Sequence, residues 1–499
     1  MARGAGNNEF HRIRWLVIAL WWGCIPAGAL SQETALTELE EGLRQQEARI
    51  QELEQDQQSA SPVSQNAAAN LEERLQQLEM RLLQVEDSAG QLRSDLESSF
   101  LESPSTESLR SSTGRVHLDY WGFPGDSPAA NLLENGDTHS SVEDRFELRR
   151  IRFGIRGQVP PKNVSYQLDL EFSGIEQIGI RDAWIGLDDH FFFRTVRIGN
   201  QKRPYGLDQL NSSNFMVFME RPLILEAIDD PNRRLGIQSY GASDDKRYNW
   251  RYGVFNLVTI EELGVIESNR YQGEFAGRLA TTAWYENRGQ DYLHLGVATS
   301  FGFPGGGISE TTADYRSRPE ARTGRTWYNT ESIGGTQATQ LLAGEIVFNR
   351  GAFQTGAEYI NSWLQRDTEA GPNVRFHGGY WYASYFLTGE YLPWNRDLGI
   401  LGRVEPHRDF SGDRNRGVRG WGAWQIAARF SMADLNESDI HGGRGKSATF
   451  ALNWYWNSHT RMQVNYIVGG IHNRAYPGQA DPRVSGDYQI IGTRLMIDY

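Results

Sequence analysis

The chain has 499 residues, 39% hydrophobic and 12% aromatic, with 53 glycines, 15 tryptophans, one cysteine and a formal net charge of −13. The acidity is local: residues 1–109 carry 8 arginines and 18 acids, a balance of −10, which leaves 42 basic and 45 acidic residues in the rest. That distribution argues against a nucleic-acid partner, while a nearly balanced C-terminal part remains free to handle anions. Only Lys162, Lys202, Lys246 and Lys446 are lysines. The other basic residues are arginine, whose permanent charge and planar fork suit phosphate or carboxylate.

Arg3, His11, Arg12 and Arg14 precede an apolar run from Trp15 to Ile25 and then Pro26-Ala27-Gly28-Ala29. A basic start, a short apolar run and an A-x-A site predict a secretory signal peptide over residues 1–29. The run is shorter than the ~20 residues of a spanning helix. Cleavage there removes Cys24 and leaves a chain with no disulfide. Residues 30–102 change period. Leu36, Leu39, Leu43, Ile50 and Leu53, then Leu71, Leu75, Leu78, Leu82, Val85, Ala89, Leu92 and Leu96, recur at three- and four-residue spacing. This predicts an α-helical coiled coil in two segments broken at Pro62, its seam facing partner chains. A linker follows at 103–113.

From 114 to 499 the pattern is short alternating stretches. Val164, Tyr166, Leu168, Leu170 and Phe172 alternate with Ser165, Gln167, Asp169 and Glu171. Phe450, Leu452, Trp454 and Trp456 do the same, and the chain ends on Ile491, Thr493, Leu495, Ile497 and Tyr499 of one face. Apolar faces with aromatic ends and polar opposite faces predict an all-β transmembrane barrel of about sixteen antiparallel strands. A secreted array of β-sandwiches would show repeated domain linkers, and none is visible. At Phe146 and Leu148 the apolar residues sit on one parity, and at Ile151, Phe153 and Ile155 on the other. The alternation therefore slips near Arg149–Arg150, as a bulge would make it. Non-alternating inserts at 207–231, 259–269 and 303–335 are expected as extracellular loops, with short turns on the other rim and Arg316, Arg318 and Arg322 on an outer loop. The first insert carries Phe215, Met216, Val217, Phe218 and Met219, too apolar for water, and folding it into the lumen would bury them.

No enzyme signature is present: no G-x-S-x-G, no paired histidines at helical spacing, and nothing that calls for a cofactor or metal. GGRGKS at 442–447 lacks the first glycine of a phosphate loop and reads as a glycine-rich turn. Lumen charge remains. Arg150 and Arg152 share a face opposite Ile151 and Phe153, and placing either against lipid would cost about 2–4 kcal/mol near the midplane. Both therefore face inward.

LRRIRFGIRG at 148–157, DAWIGL at 182–187, VRIGNQKRPYGLDQLNSSNFMVFMERP at 196–222, NRRLGIQ at 232–238, GAWQIAARFS at 422–431 and ALNWYWN at 451–457 carry a resemblance. The chain resembles the phosphate-selective porin O and P family of outer-membrane channels over about residues 114–499. The resemblance implies a homotrimer of barrels in outer-membrane lipid, a constriction loop at 210–221, and passage of small anions such as phosphate. It implies constriction charges at Arg149, Arg150, Asp182, Lys202 and Arg203. Parity adds Arg152, and Arg221 closes the loop. The scarcity of lysine departs from phosphate-selective members. A general, weakly selective porin, with an envelope-attachment role for a periplasmic coiled coil, stays open beside the anion channel.

Overall fold

The computed structural model describes residues 111–499, apart from 126, 160–162, 174–177, 191–192, 230–231, 261–271, 305–311, 411–419 and 477–482. The expected signal peptide, coiled coil and most of the linker lie outside the described residues.

Sixteen strands close into one antiparallel barrel, the first pairing with the last through Val116–Ile497 and Leu118–Leu495. In chain order they are β1 (Ser111–Gly125), β2 (Arg145–Val159), β3 (Val164–Glu171), β4 (Gly179–His190), β5 (Arg194–Lys202), β6 (Arg233–Ala242), β7 (Tyr248–Asn256) and β8 (Gly273–Glu286). There follow β9 (Asp291–Phe303), β10 (Thr336–Arg350), β11 (Phe353–Arg366), β12 (Val374–Phe386), β13 (Ala423–Glu437), β14 (Ile440–Tyr455), β15 (Thr460–Ala475) and β16 (Arg483–Asp498). Closure removes the free edges that an open sheet would leave.

The solvent pattern of a water-soluble protein is inverted. Phe146, Ile185, Ile198 and Trp381 on the outer wall are more than half exposed, whereas Gln425, Thr449, Asn453 and Gln463 on the inner wall are fully buried. Such a belt of apolar side chains around a polar interior is stable only against lipid. The slip in β2 is a bulge: His117 pairs with Arg150 and Leu118 with Leu148, so Arg149 has no partner residue on β1. Phe146, Leu148 and Ile151 can then all face lipid while Arg149 and Arg150 both enter the lumen.

GGRGKS is not a turn. Residues 442–447 lie within β14, where Gly445 faces the Tyr328 ring and Arg444 and Lys446 face outward.

At the rim where β1 begins and β16 ends, six of seven connections are tight. The seventh spans 387–422, and its residues 387–410 turn back into the barrel, contrary to the expectation that this rim holds only short turns. Its Leu392, Trp394, Leu401 and Val404 join the buried apolar cluster. From the opposite rim, residues 203–229 and 312–335 also fold inward. Helix α1 (Pro128–Asn135) follows β1; the first of these segments contains α2 (Leu207–Leu210) and α3 (Leu223–Asp229), and its Met216 to Met219 are buried. The second buries Tyr315, Trp327 and Tyr328, so it is no outer loop. Apolar packing thus lies inside the barrel, where loops cover one another and narrow the bore.

Candidate functional site

The loop at 203–229 crosses the lumen because charged wall residues hold both ends of α2. Glu358 on β11 accepts the backbone N–H of Leu207 and of Asp208, each at 2.8 Å. Lys202, at the end of β5, donates to the carbonyls of Gln209, Leu210 and Asn211 at 2.8, 3.0 and 2.8 Å. A carboxylate at the free N–H groups and an ammonium at the free carbonyls match the charge of each helix end. Gly206 permits the approach: a Cβ there would collide with the Glu358 carboxylate.

The far end of the loop is gripped by Glu220. It accepts a two-pronged contact from Arg149, at 2.9 Å for both Nε and Nη2, and a hydrogen bond from Arg494 Nη2 at 2.6 Å. Arg150 lies 3.9 Å away. Burial alone would raise the Glu220 carboxyl, but Arg149, Arg150 and Arg494 outweigh it and hold the group well below the usual carboxylate range. Asp208 differs. Burial pushes its carboxyl up, and Arg221 at 3.5 Å returns only part of the shift.

Between these anchors lies a cavity of about 1060 Å³. Its wall carries fourteen arginine or lysine residues and seven aspartate or glutamate residues, an excess of seven positive charges. Arg149, Arg150, Arg152, Asp182, Lys202 and Arg221 all line it. Their free capacity differs. Arg152 is paired with Glu171 at 2.5 Å, and Asp182 with Arg233 at 2.5 Å. Arg150 leans on His117. Lys202 spends its donors on the three carbonyls. Arg203 is not part of the cavity lining: it is buried, with Nη1 on Tyr205 Oη and Glu274 Oε2, both at 3.0 Å.

Other lining residues were not singled out by the sequence. Arg115 donates to Ser213 Oγ at 2.8 Å and has no carboxylate partner among the described residues. Arg197 is sandwiched between Trp184 and Tyr240, its Cζ 3.8 and 4.2 Å from the ring centres. Arg251 also lies over Tyr240, its Cζ 5.4 Å from the ring centre, and donates to the Leu398 carbonyl. Their signal was available in principle, since each has inward parity on its strand. Arg318 and Arg322, expected on an outer loop, line the same cavity and pair with Glu226 and Glu147. Arg316 remains exposed beside Asp314.

A closed sixteen-stranded barrel with an apolar girdle, a polar lumen and a loop folded across it defines an outer-membrane porin. The family model for phosphate-selective porin O and P matches residues 112–499, and the chain belongs to that family. An uncharacterized protein of Caulobacter vibrioides is 27% identical over 405 residues, covering 77% of this chain and 73% of its own length. Among solved structures, the anion-selective porin from Comamonas acidovorans superposes with a TM-score of 0.48 at 12% identity, covering 79% of this chain and 100% of that one. The outer membrane channel DcaP of Acinetobacter baumannii gives 0.45 at 9% identity, over 78% and 97% of the two chains.

Proposed function

We propose that the porin passes small anions, phosphate among them, by passive diffusion through an arginine-lined constriction. The observation that carries this reading is the excess of seven positive charges on the cavity wall where the loop at 203–229 narrows the bore. In open water at physiological salt a wall charge acts over a Debye length of about 8 Å. Where a loop fills most of the lumen, every ion passes within that distance. Arg115, Arg197 and Arg251, which have no carboxylate partner among the described residues, offer donors to a passing anion in place of its water. The paired Arg149, Arg150 and Arg152, with Arg221, contribute field more than contact. Asp182 and Glu171 limit the depth of the site, and conduction requires that an anion leave as readily as it enters. Lys202 and Arg203 hold the loop and its base in place.

Assembly belongs to the same reading: three barrels, with residues 30–102 as a trimerising coiled coil on the periplasmic side. A weakly selective general porin is favoured by one feature, the neutralisation of Arg149, Arg152 and Arg233 by Glu220, Glu171 and Asp182. The zero-current potential across a planar bilayer in a KCl gradient separates the two readings. The anion channel predicts a potential near that of chloride. A value near zero supports the general porin and defeats the anion channel.

A further inference from the structure

On the membrane-facing side of β14 the outward residues run Trp454, Leu452, Phe450 and Ala448, and then Lys446 and Arg444. Tight turns lie on the periplasmic side of outer-membrane barrels, so β14 begins at the extracellular rim and ends at the periplasmic one. Trp454 belongs to an aromatic cluster at the periplasmic interface, stacked on Trp424 at 4.9 Å and edge-on to Phe410 at 4.7 Å. Eight residues higher, about 26 Å along the strand and about 20 Å in height at the usual tilt, stands Lys446. That is the upper edge of the apolar band, where acyl chains give way to headgroups.

Lys446 has in register Met432 on β13 and Gly470 on β15, and the Asp487 carboxylate lies over Gly470, its Oδ1 2.6 Å from where a Cβ of that glycine would sit. Lys446 is exposed and makes no hydrogen bond or ion pair among the described residues. Arg444 lies two residues above on the same face, about 7 Å away along the strand. Its Nε donates to Asp434 Oδ2 at 2.6 Å, and its side chain remains 55% exposed. His472, opposite Arg444 in register, is also exposed. One further acid, Asp487, stands exposed opposite Gly470.

A lysine on the lipid face costs little at the interface, where water and headgroups solvate it, and there it attracts anionic lipid. The surface below it, Phe450, Val468 and Tyr466, is apolar and exposed. We infer that Lys446 and Arg444 form a docking site for a phosphorylated glycolipid of the outer leaflet. Its phosphate lies between the two cations and its acyl chains rest on Phe450, Val468 and Tyr466. Asp487 and His472 favour a ligand with sugar hydroxyls as well as phosphate, since a carboxylate beside a bare phosphate would repel it. The site faces away from the lumen and is independent of what the pore conducts.

The test is binding of a defined bis-phosphorylated lipid A-type glycolipid to the detergent-solubilised full chain, followed by native mass spectrometry. Its dephosphorylated form and phosphatidylglycerol serve as comparison ligands. The wild type should retain the bis-phosphorylated glycolipid about tenfold better than either comparison ligand. The variant R444Q/K446Q should lose about tenfold in that retention, the worth of one charge-assisted contact, with unchanged conductance and heat-modifiable mobility. Should the double variant fail to fold, K446M, whose side chain has no partner to lose, takes its place in the same assay. Equal retention by wild type and variant overturns the site. Equal binding of the dephosphorylated form, or of phosphatidylglycerol, overturns the glycolipid phosphate as its ligand.

Discussion

The loop at 203–229 enters the lumen from the extracellular rim, and the segment at 387–410 enters from the periplasmic rim. They meet where Leu401 N–H donates to Asn211 Oδ1 at 3.0 Å. The far end of the first is held by charge, Glu220 against three arginines, whereas Glu358 and Lys202 grip the backbone of α2. The second is held mainly through its own backbone, with two ion pairs, Arg403 on Asp498 and Lys246 on Asp397, beside it. Asn249 donates to the carbonyls of Arg396 and Asp397 at 2.6 and 3.1 Å, and Arg251 to that of Leu398 at 3.2 Å. Arg278 donates to Gly399 O at 3.0 Å, and Tyr292 to Leu392 O at 3.0 Å. Trp394 adds packing on His294 at 4.4 Å. Carbonyl anchoring accepts almost any side chain on the segment, whereas charge anchoring needs particular residues on both partners. The two lips of the constriction should therefore respond differently to mutation.

The largest effect is expected from Glu220→Gln. Removing the carboxylate takes from Arg149 its ion pair, while Arg494 keeps a two-pronged contact with Asp119 at 2.7 and 2.6 Å, and breaking a buried pair from one side costs about 3–5 kcal/mol. The loop end should loosen, raising single-channel conductance and lowering the unfolding temperature. Unchanged conductance together with unchanged stability would show that Glu220 does not hold the loop.

Asn249→Ala should act more gently. It removes two hydrogen bonds to the periplasmic segment, at about 1–3 kcal/mol for the acceptors left behind. Conductance should rise less than in Glu220→Gln, with selectivity unaltered because no charge is lost. A rise in conductance equal to that of Glu220→Gln, or a change in ion selectivity, would erase the distinction between the two anchors.

The smallest effect concerns pH. Because Glu220 is held well below the ordinary carboxylate range, its contribution is complete above that range and is lost only as pH falls through the depressed folded value. Conductance should stay level from about pH 7 to about pH 5, a range that lies above the usual carboxylate values. A step in conductance inside that window, abolished by Glu220→Gln, would contradict this ordering.

How much of this was legible follows from what alternation reports. Parity tells which face a side chain takes, so the outward Ile491-to-Tyr499 face, the inward Arg150 and Arg152, and the bulge at Arg149 could all be read from β2 and β16 alone. Parity carries no information about partners. Lys202 looks like a lumen charge, yet its donors serve carbonyls seven to nine residues on. Glu358 was unreadable because its contacts lie some 150 residues away in sequence. The periplasmic segment left the same trace as the first loop, apolar residues off the strand pattern at Leu392, Trp394, Leu401 and Val404. The expectation of short turns at that rim hid it. The arginines of 312–335 were misplaced for a related reason: length marks a loop but does not say whether it folds outward or inward.

The central claim is that unpaired guanidinium groups on the cavity wall set the ion preference. It is tested most directly by the zero-current potential of the triple variant Arg115→Gln, Arg197→Gln and Arg251→Gln beside the wild type in the same KCl gradient. Glutamine keeps a hydrogen-bond donor while removing the charge, and Arg316→Gln, on an exposed arginine paired with Asp314, serves as the control. The account predicts a potential near that of chloride for wild type and control, and a shift well toward that of potassium for the triple variant. Equal potentials for the wild type and the triple variant would contradict it.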